Sequence, residues 1–206
     1  MNLYDLFTRC IEIPYTRVDN SGDYAVERTG NTLNIYLESS NGVQDWQNNF
    51  DFPVKSYKNM DGRIWYVHKG FLRVWKSIEP CIKSYLDDPT VQSVVITGFS
   101  HGGALSVLCH EYVWYNYPHL RKDLYGYAFG APRVLWGIKT KDIKSRFENF
   151  TVIRNLDDAV THLPPRILGY YHVGKLVEIG QKGNYSSVDA HRPENYISEL
   201  GKLYEK

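Results

Sequence analysis

The chain has 206 residues, enough to bury about 70% of the surface its unfolded form exposes, so neither disulfides nor a structural metal is needed for stability. Lys+Arg 24 against Asp+Glu 23 leaves a formal charge of +1, which excludes the broad positive field that nucleic acid or an anionic membrane would call for. Met1 to Asp5 carry neither a basic n-region nor an apolar h-region, and no apolar run approaches ~18 residues, so a cytoplasmic protein without an integral membrane segment is expected.

In chain order, residues 3–10 read as a short amphipathic helix. Residues 24–28 and 33–38 alternate like strands around Thr29-Gly30-Asn31-Thr32, an antiparallel hairpin. The pattern then collapses into Ser39-Ser40-Asn41-Gly42 and a polar stretch with Trp46, expected as a loop or short surface helix. Residues 64–67 form another short strand, and Phe71, Val74, Trp75, Ile78, Ile82 and Tyr85 recur at helical spacing, with Pro80 expected to kink or restart that helix. From Gln92 the rhythm is strand (to Thr97), helix (101–115), strand (124–129), helix (about 140–147) and strand (151–155). A further strand is expected at 176–179, and a terminal helix at 194–204 entered through Pro193. Alternating strand and helix predicts a mostly parallel central sheet flanked by helices: an α/β chain, one domain over 1–206, without repeats or linkers. Cys10, Cys81 and Cys109 are odd in number and widely spaced, which reads as reduced core cysteines with no disulfide or metal role.

One stretch carries chemistry. Val94-Val95-Ile96-Thr97-Gly98-Phe99-Ser100-His101-Gly102-Gly103-Ala104 reads as a buried strand, a sharp turn and a helix, with G-x-S-x-G at the turn. The triplet alone is weak; a β-branched strand before it and an apolar helix after it make Ser100 a candidate nucleophile. A phosphate cradle is the competing function, but no P-loop Lys-Ser/Thr follows and the third glycine of a dinucleotide fingerprint is missing.

A serine hydroxyl needs a base within hydrogen-bond reach and a third group to orient that base. Asp157 and Asp158 lie just past the strand at 151–155, and either could be the acid. Of the histidines beyond them, His162 is too near Asp158 along a turning loop, and His172 stands where a strand begins. His191, in a loop before the last helix, is best placed to swing over the top of the sheet. His68, His110 and His119 read as structural. An oxyanion needs backbone N–H donors: His101 supplies one, and the Ser39-Ser40 turn is the early strand-end loop that could supply another, with the Ser40 hydroxyl.

Several segments together resemble the class 3 (fungal-type) triacylglycerol lipases, α/β hydrolases that also include feruloyl esterases, over about residues 24–200. Val67-His68-Lys69-Gly70-Phe71 is similar to the segment ahead of the helix before the nucleophile strand, and Thr97-Gly98-Phe99-Ser100-His101-Gly102-Gly103-Ala104 to the T-G-H-S-L-G-G-A elbow. Phe129-Gly130-Ala131-Pro132-Arg133-Val134 resembles F-G-x-P-R-V, the most specific piece. Residues 155–165 resemble N-x-x-D-x-V-x-x-L-P-P, which selects Asp158 over Asp157, and residues 169–174 resemble G-[FY]-x-H-x-G, which gives His172 a structural place. The resemblance implies Ser100 as nucleophile, His191 as base, Asp158 as its partner, and Ser40 (counted back from Trp46) with His101 as the oxyanion hole.

It further implies a small-molecule acyl ester or lipid substrate and no cofactor or metal. The chain departs from the family in three places. His101 stands where Leu is usual, and Glu38-Ser39 replaces Arg-Gly ahead of Ser40. The lid-like segment, about 41–60, is mostly polar over 41–49, so an esterase with little interfacial activation is expected. Acyl transfer, a phospholipid or acyl-carbohydrate substrate, and a catalytically silent binding module on the same fold are the alternatives. Nothing in the sequence fixes the oligomeric state.

Overall fold

Strand β6 (Ser93–Phe99) is apolar on both faces: Val94 and Ile96 join one core cluster, while Val95 and Phe99 pack against another. A strand of that kind must be covered on both sides. The computed structural model, which describes residues 2–18, 22–38, 53–58 and 64–204, places it at the centre of the larger of two sheets.

Among the described residues this sheet has seven strands in the order β1-β2-β3-β6-β7-β9-β11. They are β1 (Thr16–Val18), β2 (Gly22–Thr29), β3 (Thr32–Glu38), β6, β7 (Leu124–Phe129), β9 (Phe150–Asn155) and β11 (Lys175–Ile179). The first three pair antiparallel and all other neighbours parallel, as the alternation of strand and helix requires. The β2–β3 hairpin closes tightly, with Thr29 opposite Thr32 and only Gly30-Asn31 between them; Gly30 has φ +59°, which a two-residue turn demands.

Helices α2 (Lys69–Leu86) and α3 (His101–Asn116) cover one face, and α1 (Leu3–Glu12) and α5 (Pro193–Gly201) the other. A short helix, α4 (Lys141–Arg146), is capped by the Thr140 hydroxyl and leads into β9. Helix α3 is buried from Gly102 to Val113, the all-round burial its apolar composition implies. Helix α2 runs unbroken through Pro80. That proline lies on the exposed side, where the Lys76 carbonyl left without its helical donor can be hydrated.

A second sheet, order β10-β8-β5-β4, is antiparallel throughout and was legible only at β5 (Ile64–His68). Its other strands are β4 (Val54–Lys58), at the end of the range read as lid-like, and the two-residue β8 (Leu135–Trp136) and β10 (Tyr170–Tyr171). Residues 39–52, with Ser40 and the polar lid-like stretch, lie outside the described residues. Cys10, Cys81 and Cys109 are unbridged, with Cys10 and Cys109 buried. Among the described residues no helix is long and apolar enough to cross a membrane.

Parallel pairing aligns the carboxyl ends of the central strands. Leu37 lies opposite Gly98, Phe99 opposite Phe129, and Phe129 opposite Ile153. Whatever follows β3, β6, β7 and β9 therefore converges at one edge, where open α/β sheets bind their ligands.

Candidate active site

Ser100 turns the chain from β6 into α3 with φ 56° and ψ −120°, and it is the one non-glycine residue with positive φ among those described. A side chain held in that sparsely populated region signals a constraint imposed by the surrounding fold. The flanking glycines make the turn possible. A Cβ on Gly98 would lie 2.1 Å from the Gly102 carbonyl oxygen, and one on Gly102 would lie 1.9 Å from that of Leu37. Strand, helix and the end of β3 thus approach more closely than any side chain would permit. The Ser100 N–H donates to the Phe129 carbonyl at 2.9 Å, tying the elbow to β7.

Asp158 follows β9 after one turn, its N–H bonded to the Asn155 carbonyl at 3.0 Å, and it caps the short 3-10 helix Ala159–His162 through Val160 N–H. His191 ends the short helix Asp189–His191 ahead of α5, and its ring stacks on Phe99 with centroids 5.0 Å apart. The three residues meet in one chain of hydrogen bonds: His191 Nδ1 to Asp158 Oδ2 at 2.8 Å, and His191 Nε2 to Ser100 Oγ at 2.8 Å. A carboxylate only accepts, so Nδ1 carries the proton and Nε2 presents a lone pair to the serine hydroxyl.

The Asp158 carboxylate is fully buried and accepts from three donors: His191 Nδ1–H, Val160 N–H at 2.9 Å and the Tyr196 hydroxyl at 2.6 Å. Such donors fix the direction of a buried carboxyl group. Tyr196 shares Oδ2 with His191 and receives Asn155 N–H at 3.0 Å. Burial, and then the neighbouring Asp158 charge, push its phenol well above the usual tyrosine range, so it stays neutral, accepting from Asn155 and donating to Asp158. Sequence reasoning missed Tyr196. Its one signal is the i, i+4 pairing with Leu200 on the core side of α5, which reads as ordinary packing.

The remaining candidates find other places. Asp157 turns away and accepts Gly183 and Tyr185 N–H groups, which hold its carboxyl below the usual range. His162 is exposed, while His172 bonds the Thr161 carbonyl through Nε2 at 2.8 Å. His68 caps α2, its Nδ1 accepting from Gly70 N–H at 3.2 Å, and His110 bonds the Arg146 carbonyl at 2.9 Å. His101 opens α3, so its N–H belongs to the unpaired first turn beside Ser100. Its ring packs 5.0 Å from Phe71, and burial, with His68 nearby, lowers its pKa to about 4, so the imidazole is neutral. Its Nδ1 is buried without a hydrogen-bond partner among the described residues.

This arrangement strings a hydroxyl, an imidazole and a buried carboxyl group into one chain of hydrogen bonds along which a proton can be passed. Among the described residues no group of three or more His, Cys, Asp or Glu could hold a metal ion.

Residues 35–168 match the family model described as Lipase (class 3). Among curated proteins the chain is 30% identical over 156 residues to a secreted mono- and diacylglycerol lipase of Fusarium solani, covering 72% of this chain and 44% of that protein. It is 29% identical over 149 residues to a lipase of Rhizomucor miehei, covering 70% and 40%. It thus spans less than half the length of these relatives. Lipase II of Rhizopus niveus superposes with a TM-score of 0.69 at 25% identity, over 84% of this chain and 67% of that one. The family model takes in the elbow, the Phe129–Val134 turn and Asp158 together, and the chain belongs to the class 3 lipase family.

Proposed function

We propose that the protein is a serine carboxylester hydrolase acting through an acyl-enzyme on Ser100. The observation that carries the proposal is the single imidazole of His191, 2.8 Å from the serine hydroxyl on one side and 2.8 Å from a buried carboxylate on the other. Ser100 Oγ attacks the ester carbonyl carbon while His191 Nε2 takes the hydroxyl proton. Asp158 keeps the ring oriented and offsets the positive charge that forms on it. The negative charge on the carbonyl oxygen is met by the His101 N–H at the start of α3, where the helix dipole adds to the donor, and by Ser40 N–H and hydroxyl. The C–O bond to the alcohol then breaks, and His191 Nε2–H supplies the proton the alcohol leaves with. Water, deprotonated by the same nitrogen, attacks the Ser100 ester and returns the free serine and a carboxylic acid.

The reading of Ser40 rests on the family resemblance and on where β3 ends, with Leu37 opposite Gly98 beside the elbow. The name of the Fusarium relative makes partial acylglycerols the first natural-type substrates to assay. The polar composition of 41–49 supports weak interfacial activation: the rate should rise smoothly, without a jump, as an ester passes its solubility limit. The mechanism is tested with a p-nitrophenyl ester series of increasing chain length, comparing native protein and Ser100→Ala. A loss on the order of 10⁴-fold or more is expected, and equal rates would remove the proposal.

A further inference from the structure

A cavity of about 560 Å³ is bounded by β10 and residues on either side of β8 in the small sheet, and by β9 and β11 in the large one. Ser100, Asp158 and His191 do not line it. Four cations do: Arg133, Lys139, Arg154 and Arg166. Among the described residues the one carboxylate in contact with any of them is Glu178, on Arg154. The Arg166 carbonyl accepts from Gly169 N–H, while its guanidinium has no hydrogen-bond or ion-pair partner among the described residues. Arg133 commits Nη1 to the His162 and Pro164 carbonyls, leaving its other N–H groups, and Lys139 holds the His172 carbonyl at 2.7 Å.

Gathering like charges around a concavity costs free energy that an open surface would not, and the cost falls only when an anion enters. The groups feel one another. Burial first, then Arg154 and Arg166, lower the pKa of Arg133; burial, then Lys144 and Arg166, lower that of Lys139. In a chain whose whole net charge is +1, this is a local concentration.

We propose that this cavity is a binding site for a phosphate-class oxyanion, a phosphomonoester or phosphodiester group held by Arg133, Lys139, Arg154 and Arg166. Arg154 gives Nε and Nη2 to Glu178, yet its remaining N–H groups, those of Arg133 and Arg166 and the Lys139 ammonium still offer more donors than the two oxygens of a carboxylate can accept, whereas a tetrahedral phosphate presents oxygens in several directions. The rim carries a second indication. Ile138, between the lining residues Gly137 and Lys139, is 85% exposed, and Ile167, beside Arg166, is 92% exposed. Bare isoleucines next to cations suit a phosphate whose remainder is apolar, as in a lipid headgroup, while free phosphate would use the cations alone.

The test measures binding of inorganic phosphate to the native chain and to Lys139→Gln/Arg166→Gln, by calorimetry and by melting temperature, against chloride at matched ionic strength. Both residues are exposed, so the double variant should melt with the native protein in chloride; Arg166→Gln alone serves if it does not. Phosphate is expected to raise the native melting temperature above that in chloride, and the variant to weaken binding about tenfold or more. Equal effects of phosphate and chloride, or unchanged binding by the variant, would overturn the site. A second arm separates the sources, using vesicles of phosphatidylcholine with and without phosphatidylglycerol. Sedimentation with the anionic vesicles that free phosphate and the variant both suppress identifies a headgroup; phosphate binding without it identifies a soluble phosphate compound. Neither readout depends on ester hydrolysis.

Discussion

Two buried polar networks of the molecule are built to opposite ends. In one, Arg146 makes a paired contact with Glu111, Nε to Oε2 at 3.1 Å and Nη2 to Oε1 at 2.9 Å, with both side chains 2% exposed. Arg146 also reaches Asp142 and lies 4.2 Å from the Trp65 ring centroid. This network joins α3 to α4, and its one guanidinium is shared between two carboxylates. In the other, Ser100, His191 and Asp158 also lie buried, but the chain of bonds ends on a hydroxyl at the strand edge and runs through an imidazole, which can take up and release a proton. Closed pairing serves stability; pairing with one end left on a hydroxyl is what the proposed chemistry at Ser100 requires.

Mutations should separate the two. Ser100→Ala is expected to lower kcat/KM on the order of 10⁴-fold or more while the folded fraction stays native, as read by ester hydrolysis and circular dichroism on one sample. Asp158→Asn should cost about 10⁴-fold in kcat, because an amide can hold the ring in the wrong tautomer. Glu111→Ala should do the reverse, destabilising by about 3 kcal/mol in denaturant titration by removing the paired contact to buried Arg146 and leaving it the half-exposed Asp142, with near-native activity in the molecules that remain folded. A Glu111 variant that is stable but inactive, or a Ser100 variant that is active, would erase the distinction.

Tyr196→Phe probes a residue that positions Asp158 without touching substrate. Removing one of three donors should lower kcat about tenfold with little change in KM, and the conservative replacement keeps the ring that packs against Phe7 and Phe99. A purely structural role would instead lower the melting temperature and leave kcat alone.

The pH dependence of stability should come chiefly from histidines outside the Ser100 network. His110, on the Arg146 carbonyl, and His172 are each lowered to about 4 by burial first of all, as is His101. Depressed native values mean that the unfolded chain binds protons the native chain refuses. Stability is therefore complete above about pH 6.5 and falls as pH drops through 4, with proton uptake on unfolding. Melting temperature against pH checks this, and His110→Gln should flatten the slope.

The sequence made the elbow readable because its constraints are local: three glycines around one serine, a β-branched strand before and an apolar helix after. Asp158 was less so, since Asp157 beside it is chemically equal and only the tertiary position separates a carboxylate facing His191 from one holding Gly183. Tyr196 was invisible. It is one of 17 tyrosines, and its hydroxyl gains meaning only when α5 docks on β9. Strands β8 and β10 have two residues each, too few for a period to register, and β4 reads Val54-Lys55-Ser56-Tyr57-Lys58, too polar to announce a strand. The Glu111–Arg146 pair was not read from the sequence, because the two residues lie 35 apart and no spacing rule connects them.

The nucleophile can be tested without knowing the substrate. A fluorophosphonate probe reacts with a serine only when a base activates it, and peptide mapping by mass spectrometry reports which one. The folded protein should carry a single adduct on the peptide containing Ser100, lost on denaturation before labelling and strongly slowed by His191→Ala. Folded protein with no adduct at Ser100, or with the same labelling rate in His191→Ala, would contradict the mechanism.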